Sequence, residues 1–239
     1  MATYVLVPGA GGDAWQWHRV APELRARGHE AVAVDLPAGD ERAGWAEYAD
    51  AIVGAIGSRK DVTLVAQSLA GFSASLACGR AAVDRLVLLN AMIPLPAETG
   101  SAWWSSTGQA DAQREYLARI GLTPEAVADP AVLYFHDVPK DVVAEALRRG
   151  EPHQSMTPMK QPWPLAAWPE VETRVLAGSQ DRLFPAAFQR RVARDRLGIA
   201  ADEIEGGHLV ALSHPAELVD RLEAYRAQKT AARAAFPRT

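Results

Sequence analysis

Cysteine is almost missing: Cys78 is the only one in 239 residues. No disulfide can therefore form within the chain, and a reducing compartment is the expectation. Long apolar runs are missing too, since no stretch approaches the roughly 18 apolar residues of a membrane span. Thr3–Val7 is apolar, but Pro8-Gly9 ends it before a signal-peptide core could form, so a cytoplasmic location is expected. There is no basic excess. Lys and Arg number 25 against 29 Asp and Glu, a net charge of −4 with a pI near 5.9. Binding to nucleic acid or anionic lipid needs a cationic face, which this balance does not supply. The six histidines show no metal-ligand spacing such as H-E-x-x-H, so no metal is expected. What remains is 49% apolar and 23% charged residues, the composition of a globular chain with a sizeable core.

Short β-rich runs alternate with amphipathic stretches. Thr3–Val7, Glu30–Asp35, Val62–Ala66, Arg85–Leu89 and Thr173–Ala177 read as strands, nearly continuously apolar as in a parallel sheet covered on both faces. Trp17–Arg27, Trp45–Ile56, Leu69–Cys78 and Glu217–Ala227 carry helical spacing. The alternation predicts an α/β fold: a mostly parallel sheet of about six strands with helices on both faces. Between Leu89 and Thr173 the interval is too long for one crossover helix, and Thr123–Ala128 and Lys140–Arg149 look helical within it. Residues 92–170 are expected to form a helical cap, inserted into a core made of residues 1–91 and 171–239. The tail from Ala231 to Thr239 is expected to fray.

One motif points toward a dinucleotide site. Gly9-Ala10-Gly11-Gly12-Asp13-Ala14 fits G-x-G-x-x-A after a strand, Asp35 ends the second strand, and Tyr225-x-x-x-Lys229 has dehydrogenase spacing. Against it, Trp15-Gln16-Trp17 puts bulk where helix and sheet should pack closely. Tyr225 and Lys229 also lie on the last helix, away from the strand ends.

A different constellation absorbs more of the chain. Ala66-Gln67-Ser68-Leu69-Ala70-Gly71 is a strand–Ser–helix turn with alanine at the two usual glycine positions of a nucleophile elbow. Read alone, Ser68 could be a helix N-cap. Asp181, in Gly178-Ser179-Gln180-Asp181, follows the fifth strand, and His208, in Glu205-Gly206-Gly207-His208, precedes the last helix. The order Ser…Asp…His, each residue at a strand's C-terminal end, lets all three converge. A serine hydroxyl needs an imidazole to take its proton, and the imidazole needs a carboxylate to fix its tautomer. The amides of Ala10 and Leu69 are then candidate oxyanion donors.

These segments resemble the α/β-hydrolase superfamily over nearly the full length. Within it, Pro8-Gly9-Ala10-Gly11-Gly12-Asp13-Ala14-Trp15-Gln16-Trp17 is similar to the H-G-A-x-H-G-A-W-x-W of plant methylesterases and hydroxynitrile lyases. Asp181-Arg182-Leu183-Phe184-Pro185 with Phe188-Gln189, and Gly206-Gly207-His208, extend the likeness. Pro8 and Gln67 depart from it, standing where the branch usually has histidine and histidine or glutamate. Gly9 and Leu209 replace the threonine and lysine that the lyases use, so the resemblance implies esterase chemistry.

The expected function is cofactor-free serine hydrolysis of a small hydrophobic ester. Ser68 is the nucleophile, His208 the base and Asp181 its orienting acid, with Ala10 and Leu69 forming the oxyanion hole. Two other readings stay open: a lyase or biosynthetic cyclase using the histidine as base, and a non-catalytic ligand-binding protein. Trp103, Trp104, Phe135, Met156, Met159 and Trp163 crowd the cap, and at least two of them are expected to line an apolar substrate pocket. The partner expected is a small-molecule substrate, with no nucleic acid and no membrane; a homodimer is left open.

Overall fold

All five apolar runs form strands: β1 (Thr3–Val7), β2 (Glu30–Ala33), β3 (Val62–Gln67), β4 (Arg85–Leu89) and β5 (Glu172–Gly178). The computed structural model describes the backbone of residues 1–235 and side chains through residue 228. The side chains from Lys229 onward, with most of the tail expected to fray, lie outside the described residues. A sixth strand, β6 (Ala201–Ile204), closes one edge. Its sequence ADEI has no apolar run, because an edge strand of four residues buries only Ile204.

The order is β2-β1-β3-β4-β5-β6, and every neighbouring pair is parallel. Along the strands alternate residues feed two separate cores. Val5, Val7, Leu64, Ala66, Leu86 and Leu88 pack under α2 (Trp45–Ile56), α3 (Ala70–Cys78) and α9 (Ala186–Leu197). Tyr4, Leu6, Val65, Val87 and Leu89 pack under α1 (Val20–Ala26) and α11 (Pro215–Ala235). Period-two burial on both faces is why these strands read as uninterrupted apolar sequence. On α2 the buried positions Trp45, Tyr48, Ala49, Ile52 and Ile56 follow helical spacing, and Gly57 at φ 53° stops the helix.

The first expected helix begins late. Ala14–Trp17 is a 3-10 turn, with Asp13 accepting from the Trp15 amide, and α1 starts at Val20. Between β4 and β5 the chain forms α4 (Gly100–Thr107), α5 (Gln109–Arg119), α6 (Pro130–Leu133), α7 (Lys140–Arg149) and α8 (Thr157–Lys160). Of the two helices expected there, Lys140–Arg149 is found as such, whereas Thr123–Ala128 reduces to a 3-10 turn at Ala126–Ala128. After β6 a short α10 (Val210–Ser213) leads into α11. Among the described residues no helix is long and apolar enough to cross a membrane.

The chain reverses direction across the sheet between β1 and β3, so the loops leaving these two strands lie side by side. Such a switch point is where open α/β sheets place ligands. At the opposite end of the strands Arg85 on β4 is buried and paired across the register with Glu172 on β5, through a bidentate contact of 2.9 and 3.0 Å. Burial pushes the Glu172 carboxyl up, but Arg85 and Arg174 outweigh it and hold its pKa below the ordinary value. A depressed carboxylate stabilises the fold above its unfolded pKa and loses that contribution as pH falls through the folded one. Urea midpoints are therefore expected to fall more steeply on acidification below about pH 4.5 in the wild type than in Glu172→Gln. At pH 7 Glu172→Ala should cost about 3 kcal/mol by leaving a buried guanidinium unpaired.

Candidate active site

The end of β3 delivers Ser68 in a backbone conformation that a side chain rarely adopts, φ +53°. Two main-chain bonds pin it there: Ser68 N–H donates to Leu89 O at 3.2 Å, and Met92 N–H donates to Ser68 O at 2.9 Å. The sharp turn brings α3 against the segment after β4. A Cβ on Gly71 would lie 1.8 Å from the Met92 carbonyl oxygen, so the close approach falls at Gly71 and the alanines at 66 and 70 are tolerated.

The three residues expected to converge do so. His208 Nε2 lies 3.1 Å from Ser68 Oγ, and His208 Nδ1 lies 2.8 Å from Asp181 Oδ2. All three are buried, Asp181 completely. Its charge is not left bare. Oδ1 accepts from the amides of Leu183 and Phe184 at 2.8 and 2.9 Å, and Oδ2 faces Gln189 Nε2 at 3.4 Å besides the imidazole. A buried carboxylate with every oxygen occupied is fixed in place and can fix the imidazole in turn. Phe184 meets the His208 ring edge-on at 5.2 Å between centroids, and Tyr134 approaches at 5.8 Å. Burial and the Asp181 charge push the Tyr134 phenol up, keeping it a donor at neutral pH.

The two amides named as oxyanion donors stand out by what surrounds them. In the loop after β1, Gly9 N–H donates to Gln16 Oε1 at 3.3 Å, Gly11 N–H to Gln154 Oε1 at 3.0 Å and Gly12 N–H to Gly9 O at 3.1 Å. Among the described residues no acceptor pairs with the Ala10 or Leu69 amide. The same loop disposes of the dinucleotide reading: Asp35 Oδ1 accepts from Ala14 N–H at 2.8 Å, an internal tie of the loop. Tyr225 is likewise spent, its hydroxyl donating to Asp202 at 2.7 Å.

The six aromatic and thioether residues do not form one wall. Trp103 is 0% exposed, with its indole N–H on Ile93 O and its rings against Phe184 and Phe188. Trp163 is 1% exposed, with its N–H shared between Phe72 O and Ser75 Oγ. Side chains so sealed belong to the core, which corrects the expectation that they line a pocket. Met156 is 48% exposed on the surface. Trp104 packs on Phe184, one ring removed from His208, while Met159 lies against Gly100 and Phe135 against the Val138–Val142 cluster, all three half-buried.

Sequence reasoning missed Asn90. It follows β4 with φ +47°, is fully buried, and gathers four partners. Its Nδ2 donates to Gly207 O and His208 O at 3.0 and 3.1 Å, and its Oδ1 accepts from Gly178 N–H at 2.6 Å and Gln189 Nε2 at 3.0 Å. Gln67, the departure before the serine, also donates to His208 O at 3.2 Å. An asparagine closing an apolar strand next to the serine strand was the available signal.

A parallel α/β sheet with a serine elbow after β3, a buried acid after β5 and a histidine after β6 defines the hydrolase class of doubly covered α/β proteins. The model of the alpha/beta hydrolase family matches residues 4–221, and the chain belongs to that family. It is 27% identical to an alpha-hydroxynitrile lyase of Arabidopsis thaliana over 251 residues, covering 92% of this chain and 95% of that one. It is also 27% identical over 250 residues to "probable esterase PIR7A" of Oryza sativa subsp. indica, covering 92% and 94%. The crystal structure of polyneuridine aldehyde esterase superposes with a TM-score of 0.70 at 19% identity, over 95% of this chain and 99% of that one. The resemblance to the plant esterase and lyase branch is thereby borne out.

Replacing Asn90 by alanine should strand the Gly178 amide and the Gly207 carbonyl and leave His208 O with Gln67 alone, costing about 3 kcal/mol at roughly 1 kcal/mol per lost bond. Urea denaturation of Asn90→Ala checks the figure; a loss under about 1 kcal/mol would deny Asn90 its place as a hub.

Proposed function

We propose that this chain is a carboxylic ester hydrolase working through a Ser-His-Asp triad and an acyl-enzyme. The observation that carries the reading is the unbroken chain of hydrogen bonds from Ser68 Oγ through His208 to Asp181. His208 Nε2 takes the hydroxyl proton as Ser68 Oγ attacks the ester carbonyl carbon. The negative oxygen that develops is held by the free N–H groups of Ala10 and Leu69. His208 then gives its proton to the departing alkoxide, and water, deprotonated by the same imidazole, releases the acid. Asp181 keeps Nδ1 protonated and balances the imidazolium without itself moving a proton.

Similarity to relatives named as esterases supports this chemistry. Leu209 stands after the histidine, where the lyases of the branch carry lysine, so the residue they use to hold a leaving cyanide is not at that position. The flanking rings of Phe184 and Tyr134, backed by Trp104, suit a small, neutral, hydrophobic ester. Residues 92–170 serve as the cap over it.

Ser68→Ala should fold normally and lose about 10³-fold or more in turnover of a short-chain aryl ester. A fluorophosphonate probe should add to Ser68 in the wild type alone. Full turnover in the alanine variant, or no adduct on Ser68, would end the reading.

A further inference from the structure

Two hydrogen bonds from the β4–β5 segment end on amides that immediately flank the two functional loops. Gln154 Oε1 accepts from Gly11 N–H at 3.0 Å, one residue beyond Ala10. Asp137 Oδ2 accepts from Gly207 N–H at 2.6 Å, one residue before His208. Gln154 is itself held by further bonds, whereas Asp137 Oδ1 has no hydrogen-bond partner among the described residues. Gln154 Nε2 donates to the Tyr48 hydroxyl on α2 at 3.0 Å and to Ser155 O at 2.9 Å. Asp137 is nearly buried between His136 and His214, whose ring nitrogens lie 3.9 and 3.8 Å from its oxygens.

The motif glycines mark these same contacts. A Cβ on Gly11 would lie 2.5 Å from Pro152 Cβ, and one on Gly207 would lie 2.6 Å from His136 Nε2 and 2.8 Å from Asp137 Oδ1. The segment between β4 and β5 rests directly on the loops at these two positions, and Gly11 is further favoured by its φ of +85°.

Pinning follows from the geometry. Ala10 lies between two tied amides, Gly9 on Gln16 and Gly11 on Gln154, so its own N–H is held in direction while remaining free. His208 has its preceding amide on Asp137 and its carbonyl on Asn90 and Gln67. We propose that Gln154 and Asp137 are positioning residues through which the cap sets both halves of the machinery, the oxyanion loop and the histidine loop. The proposal rests on the hydrolase reading above. Neither side chain is assigned contact with the reacting atoms; each acts through one backbone amide.

The test compares Gln154→Leu, Asp137→Ala and Asp137→Asn with the wild type on a neutral aryl ester. His153→Ala, which breaks the same segment's exposed tie to Glu41, serves as control. A misplacement near 1 Å can cost up to about 100-fold, so kcat should fall about 10-fold or more in Gln154→Leu and Asp137→Ala while KM stays within about threefold. The rate of Ser68 phosphonylation by the fluorophosphonate should fall in step. Asp137→Asn keeps an oxygen for the Gly207 amide and should recover kcat to within about threefold of wild type. His153→Ala should change nothing. Gln154→Leu preserves bulk and carries the test alone if Asp137→Ala fails to fold. Wild-type kcat in Gln154→Leu, an Asp137→Asn variant as impaired as a folded Asp137→Ala, or an equal loss in His153→Ala would overturn the proposal. Ser68→Ala separates the two levels. If it is inactive and the positioning variants are unimpaired, this inference alone fails; if it remains active, the hydrolase reading fails first.

Discussion

Ser68 holds its hydroxyl clear of the sheet only because its backbone is kept at φ +53°, and much of the surrounding construction serves that one residue. A non-glycine residue in the left-handed region costs on the order of 1–3 kcal/mol and persists only where its neighbours over-determine it. Here the bonds to Leu89 and Met92 lock the turn to the end of β4, and the bare Cα of Gly71 lets α3 descend onto it. The two interior cores, one on each face of the sheet, supply the rigid frame against which that strain is held. Strand order completes the arrangement by setting the loop after β1 beside the elbow after β3.

A second constraint is the burial of Asp181. A carboxylate sealed from water must be occupied at every oxygen, and the main-chain amides of Leu183 and Phe184 take one while His208 and Gln189 share the other. Gln189 in turn is shared with Asn90, and Asn90 reaches the carbonyls of the histidine loop. The acid and the base are thus joined twice, once directly and once through a neutral amide network with no mobile charge. Such a network ties the acid loop to the histidine loop, although Gln189 Oε1 itself has no partner among the described residues.

The sheet was legible because both of its faces are covered, which turns burial into continuous apolar runs, and the triad was legible because Ser68 and Asp181 follow such runs while His208 sits in a glycine-marked loop before the last helix. Glu30–Asp35 ends at Ala33 in the structure, and β6 escaped notice, since an edge strand such as ADEI carries no such pattern. Asn90 escaped for another reason: its importance lies in partners at 178, 189, 207 and 208, which no local window contains. Gln67 departs from the pattern of the branch, yet it adds a donor to the histidine carbonyl.

The aromatic residues of the inserted segment show how the same side chain can be read correctly for density and wrongly for purpose. A buried indole usually places its N–H on an acceptor, and such an acceptor is most secure in a framework that does not move. Trp103 finds Ile93 O, Trp163 finds Phe72 O and Ser75 Oγ, and Trp45 reaches back to Gln161 O at 3.1 Å. These bonds rivet the segment to α2 and α3 and tie its own start together instead of lining a cavity. Rivets are what the two amide contacts require. Gln154 and Asp137 can hold a loop in place only if the chain that carries them is itself fixed. The tryptophans supply that fixity at a distance from the chemistry, which leaves Phe184, Tyr134 and Trp104 to form the apolar surroundings of His208.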